Sequence, residues 1–257
     1  MRPRSTTAGM WTLLGLLLSS APRIQAATFS INPLRVELDA RHRTDIITLK
    51  NAADTPLRVQ VREMLWSMAD QGQWQLTPSK DLIVTPELVE IPPGESAQFR
   101  VGTLIDPGAS EGAYRLLLDE LPSLEQGDSK PEIRVLTEIS MPVFVEPARR
   151  TRVPALGPAN IAHGQLSLGL RDGGTQRLDP QSVQVAVLDD SGRVLEQRDA
   201  TANYVLPGRS WFMDLKLPAD SCARAATVSV TWPDLASTSL TQAITRDAKA
   251  CPGSDSR

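Results

Sequence analysis

The sequence predicts an all-β protein made of two β-sandwich domains in tandem, and three observations carry that expectation. From Thr28 onward, short runs of alternating apolar and polar residues recur between turn-forming clusters, and no stretch shows a helical period. The runs come at the spacing of sandwich strands and are punctuated by proline and glycine. The alternation stops once, at Ala148-Arg149-Arg150-Thr151-Arg152, and then resumes with a different sequence. Residues 148–154 therefore read as a linker between a domain at 27–147 and a second domain at 155–257.

The chain opens with Met1-Arg2-Pro3-Arg4, a short apolar run around Trp11 to Leu18, and small residues at Ala26-Ala27. A basic start, an apolar centre and a small-residue end predict a cleavable signal peptide over residues 1–26 and an exported mature protein. The apolar run is too short for a spanning helix and no later stretch is long enough, so stable membrane insertion is not expected. About 230 residues remain, which suits two domains of ordinary size.

In the first domain, Ile31 to Leu38 reads as a strand, with Val36 and Leu38 opposite Arg35 and Glu37. Ile46 to Leu49 follows, then the turn residues Asn51 to Pro56. Leu57, Val59 and Val61 alternate toward Trp66, and Asp70-Gln71-Gly72-Gln73 turns the chain before Trp74. Leu82 to Val84, Leu88 to Ile91, Phe99 with Val101, and Tyr114 to Leu118 are further strands. Pro122 to Pro131 is polar and rich in breakers, as a loop is. Beyond the linker, Leu166-Leu168-Leu170, Val183-Val185-Val187, Trp211 to Leu217 and Val228-Val230-Trp232 repeat the alternation.

The longest alternating stretch is Ile133 to Pro147. At about 3.3 Å per residue it would reach roughly 50 Å, more than twice the common strand. Pro142 removes a ladder donor, which places the strand at an edge or a bend. A long apolar strand with a free edge is an aggregation hazard unless something covers it.

The formal net charge of −3 gives no reason to expect nucleic acid. No nucleophile motif, phosphate loop or metal-spaced cluster appears, so no catalytic residue, metal or cofactor is expected. His42 and His163 sit in polar surroundings and read as surface residues. The two cysteines, Cys222 and Cys251, read as one disulfide in an exported protein.

Several blocks of the first domain, in order, resemble the periplasmic pilus-assembly chaperones of the chaperone–usher pathway. They are Asn32-Pro33-Leu34-Arg35-Val36, Leu49-Lys50-Asn51, Ile91-Pro92-Pro93-Gly94, Gln98-Phe99-Arg100-Val101, Glu111 to Pro122, and Ser140 to Pro147. Tyr114 to Pro122 and Pro142 to Val145 look most like the archaic branch. The resemblance implies two immunoglobulin-like sandwiches set at an angle, the first lending its last strand to a pilin or fimbrial subunit that lacks one. This is strand addition, for which chaperone–pilin complementation is a standard instance. The implied donors are Ile133, Val135, Thr137, Ile139 and Met141, and the implied partners are such subunits and an outer-membrane usher, with no cofactor.

Many members of that family hold the subunit's C-terminal carboxylate between the domains with two cations. Arg35 fits the first position, while the second falls on Pro142, and Glu146 stands where another basic residue is common. Arg100 and Arg115 are the alternative cations. Two other readings stay open at this stage: a structural or adhesive fimbrial subunit, and another exported β-sandwich binding module. Self-association through the donor strand is a further open alternative for the free protein.

Overall fold

The computed structural model describes residues 29–122, 135–232, 238–246 and 250–251. The expected signal peptide and Ile133 lie outside the described residues. The first part of the chain forms β1 (Phe29–Asn32), β2 (Val36–Leu38), β3 (Thr44–Asn51), β4 (Leu57–Met68), β5 (Trp74–Pro78), β6 (Leu82–Thr85), β7 (Leu88–Ile91), β8 (Ser96–Thr103), β9 (Gly112–Leu121) and β10 (Glu138–Val145). Two sheets result, in the orders β1-β3-β8-β6 and β2-β10-β9-β4-β5, with β7 against the first half of β4. Ile47, Leu49, Phe99 and Val101 of one sheet meet Val36, Val59, Leu116, Leu118 and Val143 of the other in a common core. Burying each such side chain contributes about 1.5 to 3 kcal/mol.

The expected first strand is split in two. Pro33 has no N–H to continue a ladder, and the chain crosses between sheets there: β1 pairs β3, while β2 pairs β10. The start of the domain thus staples both layers. Asn51, fully buried, donates its amide to the carbonyls of Thr55 and Ile91 and so ties the turn after β3 to the end of β7.

The second part forms β11 (Pro154–Ala162), β12 (Gln165–Asp172), β13 (Gln181–Leu188), β14 (Val194–Ala202), β15 (Ser210–Lys216), α1 (Ala219–Arg224), β16 (Thr227–Trp232) and β17 (Thr238–Arg246). They join in the order β14-β13-β16-β17-β11-β12-β15, with a parallel seam between β11 and β17. Leu166, Leu168 and Leu170 face Val183, Val185, Val228 and Val230 across one core. The six residues of α1 are too few to register as a period in the sequence. Cys222, on α1, is bonded to Cys251 across a sequence separation of 29.

Two close approaches lock the parts together. Gly174 leaves no room for a Cβ beside the carbonyl oxygen of Thr151, so the connecting segment lies directly on the turn after β12. Gly72, at φ +81, tips the β4–β5 hairpin against β15, where a Cβ would sit 3.1 Å from the Ser210 oxygen.

Candidate functional site

Of the long stretch predicted as one strand, the described residues form a strand from Glu138 to Val145. On one side β10 pairs β9 over its whole length, and on the other β2 reaches only Val143 to Val145. Among the described residues the edge from Glu138 to Pro142 therefore has no strand on that side, and Pro142 offers no N–H there. The side chains of one face leave the core in sequence. Val145, Val143 and Met141 are buried in this domain's own core. Ile139 is half-buried at the rim, in an apolar cleft with Phe29, Leu57 and Leu118. Thr137 is exposed, its carbonyl accepting from the Glu120 N–H at 2.9 Å. Val135 is 85% exposed and Leu136 beside it is exposed too.

A second feature lies on the other face of the same strands. Arg115, on β9, is the register partner of Pro142. It is only 5% exposed. Its guanidinium carbon lies 4.0 Å from the Trp66 ring centre, 4.5 Å from Trp74 and 5.7 Å from Tyr204 of the second sandwich. Nη1 donates to the Ser140 carbonyl at 3.2 Å. Among the described residues Nε and Nη2 are buried without a partner, and so is the indole nitrogen of Trp66. With no carboxylate beside it, burial pulls the guanidinium down to about 10. Trp66, Met68, Ala113 and Phe144 pack here with Leu206, so the box is walled by both sandwiches.

Arg35 occupies a third place. Its Nε lies 3.1 Å from Glu37 and its Nη1 3.0 Å from Asp179 of the second sandwich. Both join a network around Arg177, which has no exposed side-chain surface. Arg177 reaches Glu111 at 2.6 Å, Glu146 at 3.3 Å and Asp179 at 2.9 Å, and also bonds Glu37. Gln176 donates to Glu146 at 2.6 Å. Burial pushes Glu111 up to about 8, against the pull of Arg177 and with a further push from Glu146. Glu146, which stood in the sequence where a cation was expected, is thus a buried partner of a cation from the other sandwich.

Arg115 and Arg35 flank the junction between the sandwiches, whereas Arg100 lies exposed on β8 beside Ile46 and Thr85, on the first sheet. Sequence reasoning missed Trp66, Trp74 and Tyr204 as the walls of Arg115, and Arg177 with Glu111 as the joint. Glu146 in an unexpected place was the one available signal for the joint.

Residues 28–150 match the family described as pili and flagellar-assembly chaperone, PapD N-terminal domain. No curated protein shows a sequence match. Among solved structures, the fold is similar to a CsuC–CsuE chaperone–tip adhesion subunit pre-assembly complex from archaic chaperone–usher Csu pili of Acinetobacter baumannii. That match has 19% identity and a TM-score of 0.54, covering 86% of this chain and 100% of the other. The class 5 fimbriae chaperone CfaA is similar at 13% identity and a TM-score of 0.55, covering 84% and 99%. A Salmonella enterica SafA pilin–SafB chaperone complex is similar at 14% identity and a TM-score of 0.51, covering 80% and 90%. The two-sandwich fold is similar to that of these solved structures, and residues 28–150 carry the match to the pilus-assembly chaperone N-terminal domain.

Proposed function

We propose that this protein is a periplasmic chaperone that lends the free edge of β10, and the segment preceding it, to an incomplete pilin-like subunit, and hands that subunit to an outer-membrane usher without nucleotide. The observation that carries this reading is the row of side chains that leaves the core along an edge with no strand partner, from buried Met141 through half-buried Ile139 to exposed Val135. Backbone groups of that edge would pair with the subunit's own unpaired strand, and the apolar row would fill its open core. Ile133, Val135, Thr137 and Ile139 form the lent set, and Met141 is the point at which the row becomes the chaperone's own. Each apolar donor would contribute about 1.5 to 3 kcal/mol before ordering costs.

Arg115 is the proposed anchor for the subunit's C-terminal carboxylate. Its free nitrogens, Nε and Nη2, are the pair by which Arg62 grips Asp119 side-on at 2.6 and 3.0 Å in the same protein. A carboxylate with two oxygens fits that edge. Arg115 stands beside Pro142, so the second cation is supplied from the neighbouring strand. Arg35, already held by Glu37 and Asp179, is better suited to fixing the joint than to gripping a ligand.

Co-expression with a pilin-like subunit tests the reading. A stable one-to-one complex is expected for the wild type and none for Val135→Asp, whose thermal unfolding should match the wild type because Val135 touches no core. Equal subunit accumulation with and without this chain would overturn it.

A further inference from the structure

Arg115 is almost completely enclosed, so any acceptor that reaches it must move a wall. Three buried donors here lack partners among the described residues: Nε and Nη2 of Arg115 and the Trp66 indole N–H. Together they mark a place prepared for an acceptor. The walls differ in how they are held. Trp66 and Phe144 are buried in the packed interface between the sandwiches. Tyr204 is pinned through its neighbours: Val205 exchanges two backbone hydrogen bonds with Leu178, and the Leu206 N–H lies 3.4 Å from the Met68 sulfur. Trp74 is held otherwise. It starts β5, the edge strand of its sheet, directly after the hairpin turn, and it is 41% exposed. Its ring lies 4.7 Å from Trp66, edge to face, and covers the guanidinium at 4.5 Å.

We propose that Trp74 is the movable wall of this site: a peptide's C-terminal carboxylate enters by displacing the Trp74 ring from the Arg115 guanidinium, and the ring closes the site again when the carboxylate leaves. The inference rests on the reading of Arg115 as the subunit anchor. In the free protein the aromatic face gives the buried cation a partner that costs no proton and brings no charge. A bidentate carboxylate is a stronger partner, so the exchange runs toward the ligand while leaving the empty site shielded from water. Neither the other two aromatic walls nor Phe144 could make this exchange without shifting one sandwich against the other.

The test uses the mature full chain with an acetylated hexapeptide of alternating valine and threonine, prepared once with a free C-terminal carboxylate and once as the amide. Calorimetric titration and tryptophan emission are read for the wild type, Trp74→Ala and Trp74→Phe. The wild type is expected to bind the acid more tightly than the amide, with an emission shift on binding. Trp74→Ala should bind the acid about 2- to 30-fold more tightly, the range set by loss of one competing cation–π contact, without that shift. Trp74→Phe should bind the acid as tightly as the wild type, also without that shift, because the ring remains but the indole is gone. If acid is still preferred over amide but Trp74→Ala binds it no more tightly than the wild type, the movable wall is overturned and the anchor stands. If neither wild type nor Trp74→Ala distinguishes acid from amide, the anchor reading itself falls, and the wall with it.

Discussion

At Arg115 most of the guanidinium's hydration is lost, and only Nη1 recovers a hydrogen bond within the protein. A buried polar group without partners costs about 1 to 3 kcal/mol. Arg115→Met is therefore expected to leave the denaturant midpoint unchanged or raise it, while the subunit complex falls apart faster; a lowered midpoint in urea unfolding would contradict this. Glu111 gives the opposite case, a residue whose protonated form is favoured by the fold. Its folded-state pKa of about 8 lies above its ordinary 4.5, so its proton is bound more tightly in the folded chain. That contribution is complete below about 4.5 and is lost as pH rises through about 8. Unfolding midpoints measured from pH 6 to 9 should fall for the wild type more than for Glu111→Gln.

At the scale of elements, β10 is two things in one strand. Its last three residues, Val143 to Val145, lie between β2 and β9, and Met141 just before them is still core: Met141→Ala is expected to cost about 2 to 5 kcal/mol in chemical denaturation, in contrast to the silent Val135→Asp. The division explains what the sequence could and could not say. Alternation located Val36, Val59, Val101 and Val143 because a strand buried on one face writes its burial into every second residue. It could not tell where that face stops being internal, since Met141 and Val135 have the same parity and the same chemistry. β14 and β17 went unseen, because V-L-E-Q-R-D-A-T-A and T-S-L-T-Q-A-I-T-R carry few apolar residues in alternation. Breaking the Cys222–Cys251 bond, which closes α1 onto the chain's end, should lower stability by about 3 kcal/mol, read as the shift in urea midpoint on adding reductant.

For the molecule as a whole, the junction matters most, and it was the least legible part. Arg177 comes from the second sandwich and Glu37, Glu111 and Glu146 from the first, so no local pattern announces them. Arg177 also stacks on Phe144, its guanidinium carbon 3.5 Å from the ring centre. Phe144 in turn packs on Trp66 and Tyr204, the walls of Arg115. Removing the cation leaves the buried side chains of Glu111 and Glu146 without their partner, and Arg177→Ala is expected to destabilise by about 3 to 5 kcal/mol. If the wall positions depend on the joint, small-angle scattering of that variant should also report a broader distribution of shapes.

The pairing of Arg115 with Pro142 has one more consequence. On the proposed function, a subunit terminus held at Arg115 and the side-chain row that leaves the core after Met141 would share a single strand register, and the protein would work as a gauge. From Pro142 to Val135 the chain can extend about 23 Å at roughly 3.3 Å per residue, and a final subunit strand would be measured off against that length from its end. Inserting one residue between Val135 and Ile139 would turn every donor beyond it to the opposite side. The two contact points would then ask for different alignments of the same guest.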